Sequence, residues 1–169
     1  MKRSMSAAIC GILLAGVASL HAASGTGTSN AGMEKLKTLA GEWTATDADG
    51  KPFTSSIRLI SNNTAIEETI NSAHDSQMVT VYTADGPRVA MTHYCSIGNQ
   101  PRLETPAERP DANEFVFSFT GATNLASPND PHMHRMVITI EDADHFTEAW
   151  TLRSNGKDTV EEFHYTRKK

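Results

Sequence analysis

The stretch HFTEAWTLRSNGKDTVEEFHYTR, residues 145–167, decides how the rest of the chain is read. Its Asn155-Gly156 dipeptide tolerates the positive φ angles of a tight hairpin. On either side, apolar and polar residues alternate with period two, as half-buried strands do. With Asn155 and Gly156 as the turn, Phe146 falls opposite Tyr165, Glu148 opposite Phe163 and Trp150 opposite Glu161. One face of the hairpin is then aromatic and carries two acids.

The same pattern repeats upstream. Alternating segments rich in Thr, Val, Ile and aromatics fall near 42–48, 53–61, 64–72, 77–84, 88–95, 113–120 and 132–141, followed by 145–153 and 158–167 of the hairpin itself. Asp49-Gly50, Asn62-Asn63 and Asp85-Gly86 stand between neighbours as turn signals. Two proline-bearing loops interrupt the series, 96–112 and 121–131, the first with a very short strand at Arg102–Glu104. The one helical candidate is 33–40, where Met33, Leu36, Leu39 and Ala40 recur at helical spacing and Gly41 reads as the terminator. Hairpin after hairpin predicts an all-β chain: a single antiparallel up-and-down β-barrel, closed so that it has no free edge, with one short N-terminal helix. A two-sheet sandwich is the alternative.

The first residues are of another kind. Lys2 and Arg3 precede a short uncharged apolar run, Ile9–Leu20, then Ala22 and Ala23. A basic head, a short apolar stretch and small residues at a cut site describe a secretory signal peptide over 1–23. The run is too short to span a membrane. Ile9 before Cys10 does not suit a lipidated cysteine. Residues 24–32 read as a flexible Gly/Ser/Thr linker and 33–169 as the barrel domain. The expected location is periplasmic or secreted, with no membrane anchor once the signal is removed.

Of 169 residues, 15 are Lys or Arg and 20 are Asp or Glu, a formal charge of −5, which becomes −7 without Lys2 and Arg3. An acidic chain lacks the basic face that nucleic acid or an anionic membrane requires. Cys95 alone remains after signal removal, so no internal disulfide forms, and burial is the favoured reading of that thiol.

Register assigns faces. Turning at Asn62-Asn63 puts Ile57 opposite Glu68 and Leu59 opposite Ile66, all inward. Turning at Asp85-Gly86 puts Tyr82 opposite Val89, Thr80 opposite Met91 and Met78 opposite His93. A three-residue turn after 141 brings the His132, His134, Met136, Ile138 face against Phe146, Glu148 and Trp150. The inward polar set is then Glu68, His93, Cys95, His134, Glu148 and Glu161. Buried ionisable groups are costly unless paired, hydrated or neutralised, so this set predicts a wet cavity.

Leu39-Ala40-Gly41-Glu42-Trp43 places a Gly-x-Trp after a short helix and at the first strand. This resembles the opening of lipocalin-like (calycin) barrels. The resemblance implies that Trp43 closes the barrel floor and that an arginine of the last strand, here Arg167, packs over it. Met91–Arg102, with its Thr-His-Tyr-Cys-x-x-Gly-Asn-Gln-Pro run, Asp142–His145 and Glu148–Trp150 together resemble a group of uncharacterised bacterial secreted proteins, of the domain-of-unknown-function type, with a lipocalin-like fold. That likeness spans roughly residues 34–167 and implies fold more than activity.

Three chemistries are compatible with these residues. A small amphipathic or acidic ligand would sit in the barrel against His93, Arg102, His134, Glu148, Trp150 and Glu161, with the 96–102 loop covering the mouth and Arg102 supplying a guanidinium; the alternative for that loop is a purely structural turn. A metal or haem could use His93, His132, His134, Cys95 and a glutamate, His132 and His134 being the better-placed pair. A small hydrolase or isomerase could use interior histidine and glutamate, with Glu148 and Glu161 as diagonal acids raising one another's pKa; no nucleophile elbow, phosphate loop or His-Glu-x-x-His accompanies them. A structural or partner-binding envelope protein is the remaining class; Phe115, Phe117 and Phe119 read as core, or as an interface if exposed. Ligand identity, cofactor and oligomeric state are not legible at this level.

Overall fold

The computed structural model describes residues 30–46, 50–72, 75–107 and 113–169. The expected signal peptide, Cys10, most of the linker, Asp49 and the end of the first long loop lie outside the described residues. One helix, α1 (Ala31–Lys37), precedes ten strands. These are β1 (Gly41–Thr46), β2 (Pro52–Ile60), β3 (Ala65–Asn71), β4 (Met78–Asp85), β5 (Arg88–Tyr94), β6 (Gln100–Glu104), β7 (Glu114–Thr123), β8 (His132–Ile140), β9 (His145–Ser154) and β10 (Lys157–Arg167). Each strand pairs antiparallel with the next, and β10 returns to β1, closing the barrel. This is the expected up-and-down, lipocalin-like architecture. The short strand at 102–104 extends to a full stave, β6, so that β6 and β7 separate β5 from β8.

Helix α1 starts earlier and stops sooner than its apolar spacing suggested. Asn30 is its N-cap: the side-chain oxygen accepts from the Met33 N–H at 2.9 Å. The same side chain donates to the carbonyls of Gly86 and Arg88 at 2.8 and 2.7 Å, tying the helix to the β4–β5 turn. Two apolar positions beyond the helix end, Leu39 and Ala40, are carried by tighter bonds to carbonyls three residues back. The helix and this turn close one end of the barrel with Met33, Leu36 and Leu39, all buried.

Gly41 is therefore no helix terminator. It opens β1 at φ +147°, and a Cβ there would run into the Arg167 guanidinium. Arg167 lies over the Trp43 ring, 4.0 Å from its centroid. It donates to the carbonyls of Ala40 at 2.8 Å, Thr38 at 3.1 Å and Ala143 at 2.8 Å. Trp43 is fully buried and its Nε1 donates to the Leu39 carbonyl at 2.8 Å. The roles implied for Trp43 and Arg167 are the ones they fill. The cation over the ring face, worth about 0.5–2 kcal/mol, is combined here with carbonyls that the helix end and the β8–β9 turn leave unpaired.

Most registers follow the turns. Ile57 pairs with Glu68, Phe146 with Tyr165, Glu148 with Phe163, Trp150 with Glu161, and Ile138 with Glu148. The β4–β5 hairpin differs: its turn is Gly86-Pro87, so Tyr82 meets Met91 and Thr80 meets His93. The slip is two residues, which preserves every face because side chains alternate with period two. The Phe115 and Phe117 side chains are fully buried, as core residues, within a cluster that includes Trp43, Met91, Met136 and Phe146. Leu59, expected inward, is 36 % exposed at the helix end of the barrel.

Gly41→Ala should cost about 1–3 kcal/mol, from strained φ and displacement of Arg167. Urea unfolding measures it; an unchanged midpoint would mean that the Arg167–Trp43 floor is not what holds β1 to β10.

Candidate functional site

Alternation aims one residue of each strand pair at the barrel axis, and five strands contribute to a polar node there. From β2 comes Ser55, from β3 Glu68, from β4 Tyr82, from β9 Glu148 and Trp150, and from β10 Tyr165. All are buried, Glu68 at 1 % and Glu148 at 0 % exposure. Ser55 donates to Glu68 Oε1 at 2.7 Å and Tyr82 to Glu68 Oε2 at 2.8 Å. Trp150 Nε1 donates to Glu148 Oε2 at 2.9 Å, and Tyr165 to the same oxygen at 3.3 Å. Glu148 Oε1 has no partner.

The two acids face a common void lined by both of them, Tyr82, Ile57, Ile138, the helix residue Leu36 and, just beyond the helix, Leu39. Its volume is about 10 Å3, about one water molecule. Burial, and then the charge of Glu68, raise the Glu148 carboxyl well above the ordinary range; burial also raises Glu68, against the lowering effect of its donors Ser55 and Tyr82. Two ionised carboxylates in so apolar a setting would repel. Glu148, the more strongly raised of the two, therefore holds a proton, and its Oε1 stands in the interior without a partner. The tyrosines are raised in turn, by burial first and then by the acids.

Above this node stands His93, on β5. It is 1 % exposed. Its Nδ1 is 2.8 Å from Thr80 Oγ1, while Nε2 has no partner. Its ring packs on Trp150 with centroids 4.6 Å apart. Burial lowers its pKa to about 4, so the imidazole is neutral at pH 7. Trp150 thus bridges two unsatisfied buried groups: it touches the ring of one and hydrogen-bonds the other.

The remaining expected site residues do not converge here. Glu161 is on the inward side of β10 by register, but is exposed, because β10 runs past β1: only Trp43 with Arg167 and Thr44 with Thr166 pair across that seam. The acid beside Glu148 is Glu68, from the opposite wall. Arg102 lies on β6, opposite Thr92 and Gly121, and is exposed on the outer face. It is not in the barrel mouth, since the covering loop is only the turn at 95–99, closed by the bonds from Cys95 N–H to the Asn99 carbonyl and from Gly98 N–H to the Cys95 carbonyl. Asn99 donates to the Pro131 carbonyl at 2.7 Å, so this loop is structural. Cys95 is buried, and burial pushes its thiol pKa up.

His134 is half-buried at a bulge in β8 between Met133 and Arg135. It meets His132, not His93, from which two intervening strands separate it. Among the described residues no group of three or more His, Cys, Asp or Glu side chains is placed to hold a metal, and no helix is long and apolar enough to cross a membrane. No family model matches the sequence, and no curated protein does.

Sequence reasoning missed Tyr82, Tyr165 and Ser55 as members of the node and Thr80 as the partner of His93. Tyr82 and Tyr165 share the inward parity of their strands, which was the available signal.

The carboxyl pair sets a pH dependence. Its folded pKa values are raised, so the folded state holds protons that the unfolded chain releases above its value of 4.5. Stability from this source is full below that pH and lost as pH rises through the folded pKa. His93 acts in the opposite sense: its contribution is full above 6.5 and lost as pH falls toward about 4. Above pH 6.5, where the His93 contribution is already full, the unfolding free energy should therefore decline with rising pH, by up to about 1.4 kcal/mol per unit for each proton released. Glu148→Gln should flatten that decline. Equal slopes in both proteins would show that Glu148 holds no proton.

Proposed function

We propose that this protein is an exported barrel that binds a small molecule in its interior, against Glu148, His93 and Trp150. One observation carries the reading. Two polar atoms, Glu148 Oε1 and His93 Nε2, are buried without partners on either side of Trp150. Such an atom costs about 1–3 kcal/mol, and nothing in the packing of the barrel requires both. A ligand hydrogen-bonding to them offsets that cost. Export rests on the basic head, apolar run and Ala22-Ala23 of the N-terminus.

The interior as it stands has room for about one water at the acids, well short of the roughly 300–1,000 Å3 of an ordinary ligand pocket. A larger guest therefore enters by displacing side chains toward the end opposite α1, where Phe163 and Met78 are half-buried. The arrangement favours an uncharged, partly apolar molecule. Glu148 is neutral because burial keeps its proton on, His93 is neutral, and the arginine expected to meet an acidic ligand is on the outer face.

Trp150 is a built-in reporter, because the other tryptophan, Trp43, is locked in the floor. Native mass spectrometry of the protein purified from its own compartment should show a co-purifying organic mass. Adding that compound back should change tryptophan emission, and Trp150→Phe should abolish the change. A bare chain mass, together with no emission or melting response to a panel of small neutral aromatics and alcohols, would leave the node as a purely structural network.

A further inference from the structure

We propose that His132 and His134 form a two-imidazole chelate for a divalent transition ion of the zinc, nickel or copper(II) class. The pair lies at the barrel end opposite α1, on a strand that contributes neither of the interior acids. His132 Nε2 and His134 Nδ1 are 3.2 Å apart. Two nitrogens bound about 2.0–2.1 Å from a tetrahedral zinc lie about 3.3–3.4 Å from each other, so this spacing is that of adjacent ligands. The bulge between Met133 and Arg135 produces it, since it breaks the regular register between these two positions.

The protons are assigned by the surroundings. His132 Nδ1 is 2.8 Å from the Asp130 carbonyl, which only accepts, so Nδ1 carries hydrogen and Nε2 presents its lone pair to His134. A backbone carbonyl on the far nitrogen is the usual way in which a metal-binding histidine is oriented. Without an ion, His134 Nδ1 donates to His132 Nε2. With one, the His134 proton moves to its solvent-side Nε2, a change of tautomer with no net proton release. Both rings then turn so that their lone pairs converge on the ion; they stand 67° apart with centroids 5.3 Å apart. Phe119 packs against both, at 4.5 Å from His132 and 5.3 Å from His134, and limits their other motions.

His132 is 3 % exposed and His134 half-buried, so solvent reaches the pair from the His134 side and water fills the remaining coordination positions. Arg153 and Asp158 are the nearby charges, and they are paired to each other by two bonds of 2.7 and 2.8 Å, which largely cancels the repulsion of a cation. Imidazole with water suits zinc, nickel and copper(II), copper(II) binding most tightly.

The full chain is titrated with zinc by calorimetry and with copper(II) by electron paramagnetic resonance. One zinc should bind, and the copper spectrum should show splitting from two equivalent nitrogens. Loss of a mere supporting partner of a metal ligand already costs about 10–100-fold in affinity, so His134→Ala should weaken zinc by more than about tenfold and leave at most one nitrogen in the copper pattern. His164→Ala, at an exposed histidine beside Glu162, should change neither. No zinc heat, unchanged affinity in folded His134→Ala (checked by circular dichroism), or equal loss in His164→Ala would overturn the proposal.

Discussion

The barrel is closed by Arg167 lying over Trp43. Nine of the ten strand seams follow hairpins or short loops, so sequence neighbours meet without help. The tenth joins the two ends of the domain, β1 and β10, through only two residue pairs. That seam has to be reinforced by side chains, and Arg167 does it from the last position of β10. Its guanidinium covers the indole and satisfies three carbonyls, from the helix end, the start of β1 and the β8–β9 turn. Gly41 is the condition for this approach. The aromatic column built on that floor, Trp43 against Phe146 at 4.7 Å and Phe146 stacked on Tyr165 at 4.4 Å, carries the constraint upward to the Tyr165 hydroxyl and so to Glu148.

The polar node is thus held from below by packing and from the walls by donors. Four side chains donate to two carboxyl groups, yet one carboxyl oxygen is left over. An interior built for stability alone would have apolar residues at these positions, since well-packed hydrophobic replacements of buried ionic groups are often neutral or stabilising. The node and the unpartnered Nε2 of His93 therefore mark where this barrel departs from a merely packed core.

The fold was legible because strand alternation and turn chemistry agree with each other along most of the chain. Asn155-Gly156 and Asn62-Asn63 set registers that hold residue for residue. Asp85-Gly86 misled by two positions, because Pro87 takes the second turn place, and the faces survived because two is the period of the pleat. Burial of Glu68, His93, Cys95 and Glu148 followed from face alone. Glu161 and Leu59 did not, since face says nothing about how far along the axis a residue stands, and both lie near the barrel ends. His134 eluded the alternation because a bulge adds a residue that no local pattern announces.

By itself, then, the sequence determined the strand order, the inward face of nearly every strand and the Trp43–Arg167 floor, because these depend on short-range alternation, turn geometry and one ring–cation contact between marked positions. The tertiary structure alone decided that Glu148 faces Glu68 and not Glu161, that Trp150 lies between Glu148 and His93, and that His132 meets His134. Those contacts cross the barrel or depend on a local break in register. Closure curvature, strand overhang and bulge placement set them, and these are properties of the assembled sheet that no single segment encodes.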